Sequence, residues 1–146
     1  MKEIILKVDG NDNVIGKIPK SIAHNGKGIL HRAFLVIVFN NKNEILLAKR
    51  SNLKRLWPGF WDGTVASHQR EGEDLEEAVR RRIKEEIGIR ARRIKHLFKF
   101  YYQSSFKNKG SEREICHVFK IKTNKCYLHN PSSLFQNFVI TFKIFF

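Results

Sequence analysis

Leu75, Ala78, Val79, Ile83 and Ile87 recur every three or four positions among charged neighbours, which predicts a helix from about Glu73 with one buried stripe. Gly88 is its C-terminal stop. Elsewhere the period is shorter. Glu3 to Asp9 and Val14 to Ile18 are apolar-rich runs around Gly10-Asn11-Asp12-Asn13, an opening hairpin. Ala33 to Phe39 and Ile45 to Lys49 alternate around Asn40-Asn41-Lys42-Asn43 and predict a second hairpin that crosses the core. Between the hairpins, Lys20 to His31 reads as a loop, because Asn25-Gly26 and Gly28 break any period. Arg50, Lys54 and Arg55 form a basic loop ending at Trp57-Pro58-Gly59, and Phe60 to His68 carries a short strand that delivers Ser67 and His68 to the helix entrance. After the helix, Ile94 to Ser104 and Glu114 to Thr123 read as two more strands around the polar turn Lys107 to Ser111. Beyond Pro131 there is no acidic residue; Phe135, Phe138, Phe142 and Phe145 fit a helix, while 138–146 also alternates like a strand, and both readings stay open. Strands, a helix and strands again predict an α/β sandwich with a mixed sheet, in one domain spanning 1–146, without internal repeats.

Composition narrows the partners more than the fold. At 146 residues the chain is long enough for one real core. Lys and Arg number 28 against 14 acids, so anionic partners are expected: phosphorylated metabolites, nucleic acid or an anionic membrane surface. The charge alone does not choose among them. No RNA-binding aromatic motif is visible, which ranks specific nucleic-acid binding last. Cys116 and Cys126 make no disulfide framework and nothing near Met1 reads as a signal peptide, so a reducing cytoplasm is the expected location. No apolar run approaches the roughly 20 residues of a transmembrane helix. Oligomeric state leaves no trace in the sequence.

The helix also carries chemistry. Arg82 and Glu86 are four apart and Glu85 is three from Arg82, so a guanidinium and two carboxylates project together beside the apolar stripe. That set suits Mg2+ bridging to a diphosphate, since the ion takes one or two carboxylates plus phosphate oxygens. A lone Glu-Glu pair would more simply be a solvated face laced with ion pairs. The wider spacing outweighs that reading, because Ser67 to Ile89 resembles a Nudix box. Glu73, Arg81, Ile83, Glu85, Glu86, Gly88 and Ile89 match it, while Ser67 replaces its first glycine and Arg82 the glutamate of its Arg-Glu pair.

From about Lys20 to Thr123 the chain further resembles the type I isopentenyl-diphosphate isomerases, a branch of the Nudix superfamily. The resemblance implies a metal held by His24, His31 and His68 with Glu112 and Glu114 from a Glu-x-Glu strand, a donor set that suits Zn2+ or Mn2+. It implies a small-molecule diphosphate substrate gripped by Lys20, Arg50, Lys54 and Arg82, with Glu86 sharing a Mg2+ with the diphosphate. It places Tyr102 on the active-site tyrosine. The implied reaction moves a double bond by adding a proton on one face and removing one from the other. Its two proton carriers are a metal-linked glutamate, matched by Glu114, and a cysteine two residues before the box histidine, a position held here by Ala66. The implied activity is therefore an isomerase interconverting isopentenyl and dimethylallyl diphosphate, weakened at Ala66. The alternatives are a Nudix hydrolase cleaving a nucleoside or prenyl diphosphate and, behind it, a non-catalytic diphosphate or nucleic-acid binder.

Overall fold

The sheet is organised around β3 (His31–Phe39), whose sequence HRAFLVIVF is apolar on both faces, as a strand covered on both sides must be. The computed structural model describes residues 3–123 and, for the backbone, 140–143. β3 runs parallel to β8 (Ser111–Lys122), from His31 beside Glu114 to Phe39 beside Lys122. On its other edge it pairs antiparallel with β6 (Val65–His68) and with the start of β4 (Glu44–Lys49). β7 (Lys95–Ser105) forms a long hairpin with β8, and β5 (Trp61–Asp62) pairs with β4. The result is a mixed sheet, as expected.

The opening hairpin is β1 (Ile4–Val8) with β2 (Val14–Pro19). Asp9 accepts from the backbone N–H groups of Asn11 and Asn13 at 2.9 Å and closes the turn. Asp12 lies in the left-handed region at φ 70° and turns its carboxylate inward, accepting from Arg32 Nε (2.7 Å), His117 Nε2 (2.8 Å) and Lys99 Nζ (3.0 Å). This buried network clamps the hairpin onto β3, β7 and β8, and it gives His117 a structural role. Burial works to lower the His117 imidazole, against Asp12, and the net direction is down.

Helix α2 (Leu75–Ile87) begins two residues later than the apolar period suggests, because Asp74 takes the N-cap and closes a capping box with Glu77. Such a cap contributes about 1 kcal/mol. Gly88 ends the helix in the left-handed conformation at φ 70°. Ala78, Val79 and Ile83 pack on Phe34, Val36, Val38, Phe119 and Ile121, so the even-numbered side of β3 faces α2. Burial of a residue such as Phe34 or Ile83 contributes about 1.5–3 kcal/mol. His31, Ala33 and Leu35 are thereby turned to the opposite face.

The segment expected to be all loop opens with one helical turn, α1 (Lys20–Ala23), because Pro19 fixes the entry angle and Ala23 is buried against Ile5 and Ile18. β8 starts three residues before Glu114, since the ladder with β7 continues to Ser105 beside Ser111. The turn between them needs Gly110 at φ 135°, where a Cβ would meet the His24 carbonyl oxygen at 2.2 Å. That close approach and the bond from Ser111 N–H to the same carbonyl (3.1 Å) hold the α1 loop against β8.

At the C-terminal end, β9 (Ile140–Lys143) pairs antiparallel with β4, which makes 140–143 a strand. Phe135, Phe138 and Phe145 lie outside the described residues. Among the described residues α2 is the one long helix, and none is long and apolar enough to cross a membrane.

Candidate metal and diphosphate site

Three elements deliver three imidazoles to one point. His24 ends α1, His31 opens β3 and His68 ends β6, while Glu114 reaches the same point from β8. One ligand atom from each of the four lies within 4.8 Å of the others, and all four residues are buried. Glu114 Oε1 is 3.3 Å from both His31 Nε2 and His68 Nε2. His31 Nδ1 donates to the Ile29 carbonyl at 2.6 Å and His24 Nδ1 to the Ser111 carbonyl at 3.3 Å. A carbonyl only accepts, so each of these rings carries its proton on Nδ1 when neutral and leaves Nε2 with a lone pair. His31 Nε2 is fully buried and makes no hydrogen bond of good geometry. A buried lone pair of that kind fits a cation.

The electrostatics agree with that fit. Burial, reinforced by His68 and His31, brings His24 down to about 3. Burial brings His68 down to about 4 against the pull of Glu114. Burial alone would raise Glu114, but the imidazoles of His31 and His68, each 3.3 Å from its Oε1, hold its carboxyl well below the usual range. Neutral imidazoles with an ionised carboxylate form the protonation state that a divalent metal requires.

Glu112, the other carboxylate of the Glu-x-Glu strand, stands apart from this group. It accepts from the Tyr102 hydroxyl at 3.1 Å and lies 3.9 Å from Arg50 Nη2. Burial and the neighbouring Glu114 push it up to about 7. Burial and Glu112 push Tyr102 well above the usual range, so its hydroxyl stays a donor.

Of the predicted cations, Lys20, Arg50 and Lys54 line one cavity together with His24, His68 and Glu114. Lys20 is 2.9 Å from Glu3, and Arg50 is 2.9 Å from Asp62. On α2, Arg82 donates to Glu85 at 2.7 Å and also to Glu86. Burial brings Lys54 down to about 8, with Lys20, Arg50 and Arg82 acting in the same direction and Glu86 against it, so these five residues share one field. Burial pushes Glu86, only 4% exposed, up to about 7 despite Arg82 and Lys54. A closely spaced set of cations with one buried carboxylate can receive a diphosphate together with its counter-ion.

Members of both groups, His24, His68 and Glu114 with Lys20, Arg50 and Lys54, border a cavity of about 760 Å3 that also takes in Leu35, Trp57, Phe60, Trp61, Ala66 and Cys116. Ala66 is exposed on its floor, opposite Leu35 in the β3–β6 ladder. Cys116 shares the cavity, its thiol pushed up to about 12 by burial and by Glu114, Asp62 and Glu112. Sequence reasoning missed Asp62 and Glu3, which hold Arg50 and Lys20. Neither carries a motif; only the fold brings them to their partners.

The Nudix domain family matches residues 29–134. An isopentenyl-diphosphate Delta-isomerase of Photorhabdus laumondii is 41% identical over 144 residues, which covers 98% of this chain and 81% of the relative. One from Haloarcula marismortui is 39% identical, covering 91% and 73%. The chain belongs to the Nudix family, in its isopentenyl-diphosphate Delta-isomerase branch. Among solved structures, DR0079 of Deinococcus radiodurans superposes with a TM-score of 0.75 over 95% of this chain and 82% of its own, at 20% identity. The MutT protein of Methanosarcina mazei gives 0.55, covering 68% of each chain at 24% identity, so both comparisons speak to the fold alone. In this Nudix fold the box is the strand–loop–helix from Ser67 to Ile89. Arg81 donates twice to Glu73 and once to the His68 carbonyl (3.5 Å), which ties the box together and sets His68 in place.

Proposed function

We propose that this chain is a metal-dependent isomerase interconverting isopentenyl and dimethylallyl diphosphate by proton transfer. The observation that carries the reading is the placement of a three-histidine, one-glutamate cluster and a cation cluster around one cavity. His24, His31, His68 and Glu114 would hold the first ion, while Glu112, on the same face of β8, accepts from Tyr102 and stands outside that set. Imidazole ligands favour Zn2+ or Mn2+ there, and Glu86 with the diphosphate oxygens favours Mg2+. When bound, the first ion supplies fixed positive charge that steadies the anionic form of Glu114.

The chain's own groups do the rest. Lys20, Arg50, Lys54 and Arg82 grip the diphosphate and so fix where the alkene lies. Glu114 exchanges a proton with one face of the allylic system, and the Tyr102 hydroxyl orients Glu112 beside it. The opposite face meets Ala66, which carries no exchangeable proton. A missing acid or base of this kind costs about 10² to 10⁴ in rate. A Nudix hydrolase is the second reading, favoured by Ala66. Against it, Arg82 stands where the Nudix box has a glutamate, which removes one of the carboxylates a hydrolytic metal would use.

We place the whole chain in one domain, supported by the return of β9 to β4, and in the reducing cytoplasm, supported by the free, buried Cys116. Incubation with isopentenyl diphosphate, Mg2+ and Zn2+ in D2O tests the function. Deuterium in the allylic carbons without phosphate release supports the isomerase; phosphate or pyrophosphate release without exchange supports the hydrolase.

A further inference from the structure

A cavity of about 760 Å3 lies in the upper part of the range of roughly 300 to 1,000 Å3 that holds a drug-sized ligand. A five-carbon diphosphate is smaller than that. The cations would take its head, which leaves the rest of the lining to be explained. Much of it is aromatic: Trp57 and Phe60 come from the loop that carries Arg50 and Lys54 and pack on Phe106 of the β7–β8 turn, with ring centroids 5.3 and 6.2 Å apart. Trp61 and Phe100 line the same cavity. Phe60, Trp61 and Phe100 line the cavity yet are 55%, 43% and 41% exposed. Exposed apolar surface inside a concave site marks where an apolar part of a ligand is buried.

We infer that the site takes prenyl diphosphates longer than five carbons, with the diphosphate on the cation cluster and a second isoprene unit against Trp57, Phe60 and Phe100. This rests on the isoprenoid-diphosphate reading of the site but not on which reaction follows binding. Each buried methylene strengthens binding, so the chain length should appear directly in affinity.

Titration calorimetry of the full chain with inorganic pyrophosphate, dimethylallyl diphosphate and geranyl diphosphate, all with Mg2+, tests it. Geranyl diphosphate is expected to bind at least tenfold tighter than dimethylallyl diphosphate. Phe60→Ser, at an exposed position, is expected to erase most of that preference while pyrophosphate affinity changes less than threefold. Equal or weaker binding of the ten-carbon ligand overturns the inference even when isomerisation of the five-carbon substrate is observed. Binding of geranyl but not isomerisation of isopentenyl diphosphate upholds it and overturns the proposed reaction instead. No binding of any diphosphate removes both.

Discussion

Arg82 donates to Glu86 across one turn of α2, at the position where the Nudix box has a glutamate. Because Arg82 also bonds Glu85, the guanidinium pairs with two carboxylates while acting on Lys54 in the same field as Lys20 and Arg50. A planar fork can do this; an ammonium cannot. Arg82→Lys is therefore expected to weaken pyrophosphate binding about tenfold, about 1.4 kcal/mol, with charge unchanged. Calorimetry measures it, and unchanged affinity would return Arg82 to a purely intrahelical role.

Metal content provides a second test. Purified protein is expected to retain Zn2+ or Mn2+, and His68→Ala to lose it, because His68 is one of the four proposed ligands in a buried cluster. At a thousandfold excess over the dissociation constant, added ion should stabilise wild type by about 4 kcal/mol and the variant by far less. Elemental analysis and thermal denaturation read the two effects. An ion that raises the melting temperature of both proteins equally would place the metal elsewhere.

The histidine burial sets an acid limit on the metal-free protein. His68 titrates near 6.5 in the unfolded chain and about 4 in the fold, so below pH 6.5 the unfolded chain takes up the proton first. Its contribution to stability is full above pH 6.5 and is lost as pH falls through about 4, a difference of about 3 kcal/mol. His24 acts in the same sense, down to about 3. Glu86 and Glu112, raised by burial, act in the opposite sense as pH rises towards 7, so the cleanest measurement is a difference. Denaturant unfolding of chelated wild type and His68→Gln from pH 7 to pH 4 should show wild type losing its advantage. A pH-independent difference would mean that His68 is not buried as a neutral ring.

Much of this was legible in the chain itself. Helix α2 and its Gly88 stop follow from an apolar period that tertiary contacts only reinforce, and the resemblance to the isomerases at His24, His31, His68 and Glu114 anticipated a cluster whose members come from four elements. The illegible parts depend on closeness in space. Asp12 sits in an Asn-Asp-Asn turn that reads as solvent-exposed, yet its carboxylate is buried among Arg32, Lys99 and His117. Asp62 is twelve positions from Arg50, and no period links them. Glu112 shares strand parity with Glu114, but parity fixes a face and not a partner, and Tyr102 claims it. The α1 turn was hidden because glycines further along suggested a loop throughout.

The central claim is that an isomerase scaffold is complete here except for one proton carrier, and Ala66→Cys tests it most directly. Ala66 is exposed on the cavity floor, so a thiol fits without disturbing the core. Restoring a positioned acid should raise the rate of deuterium incorporation from D2O into isopentenyl and dimethylallyl diphosphate by about 10² or more, about 3 kcal/mol of barrier. The account predicts that gain with the melting temperature unchanged and no phosphate released. A folded Ala66→Cys protein that exchanges deuterium no faster than wild type would contradict it.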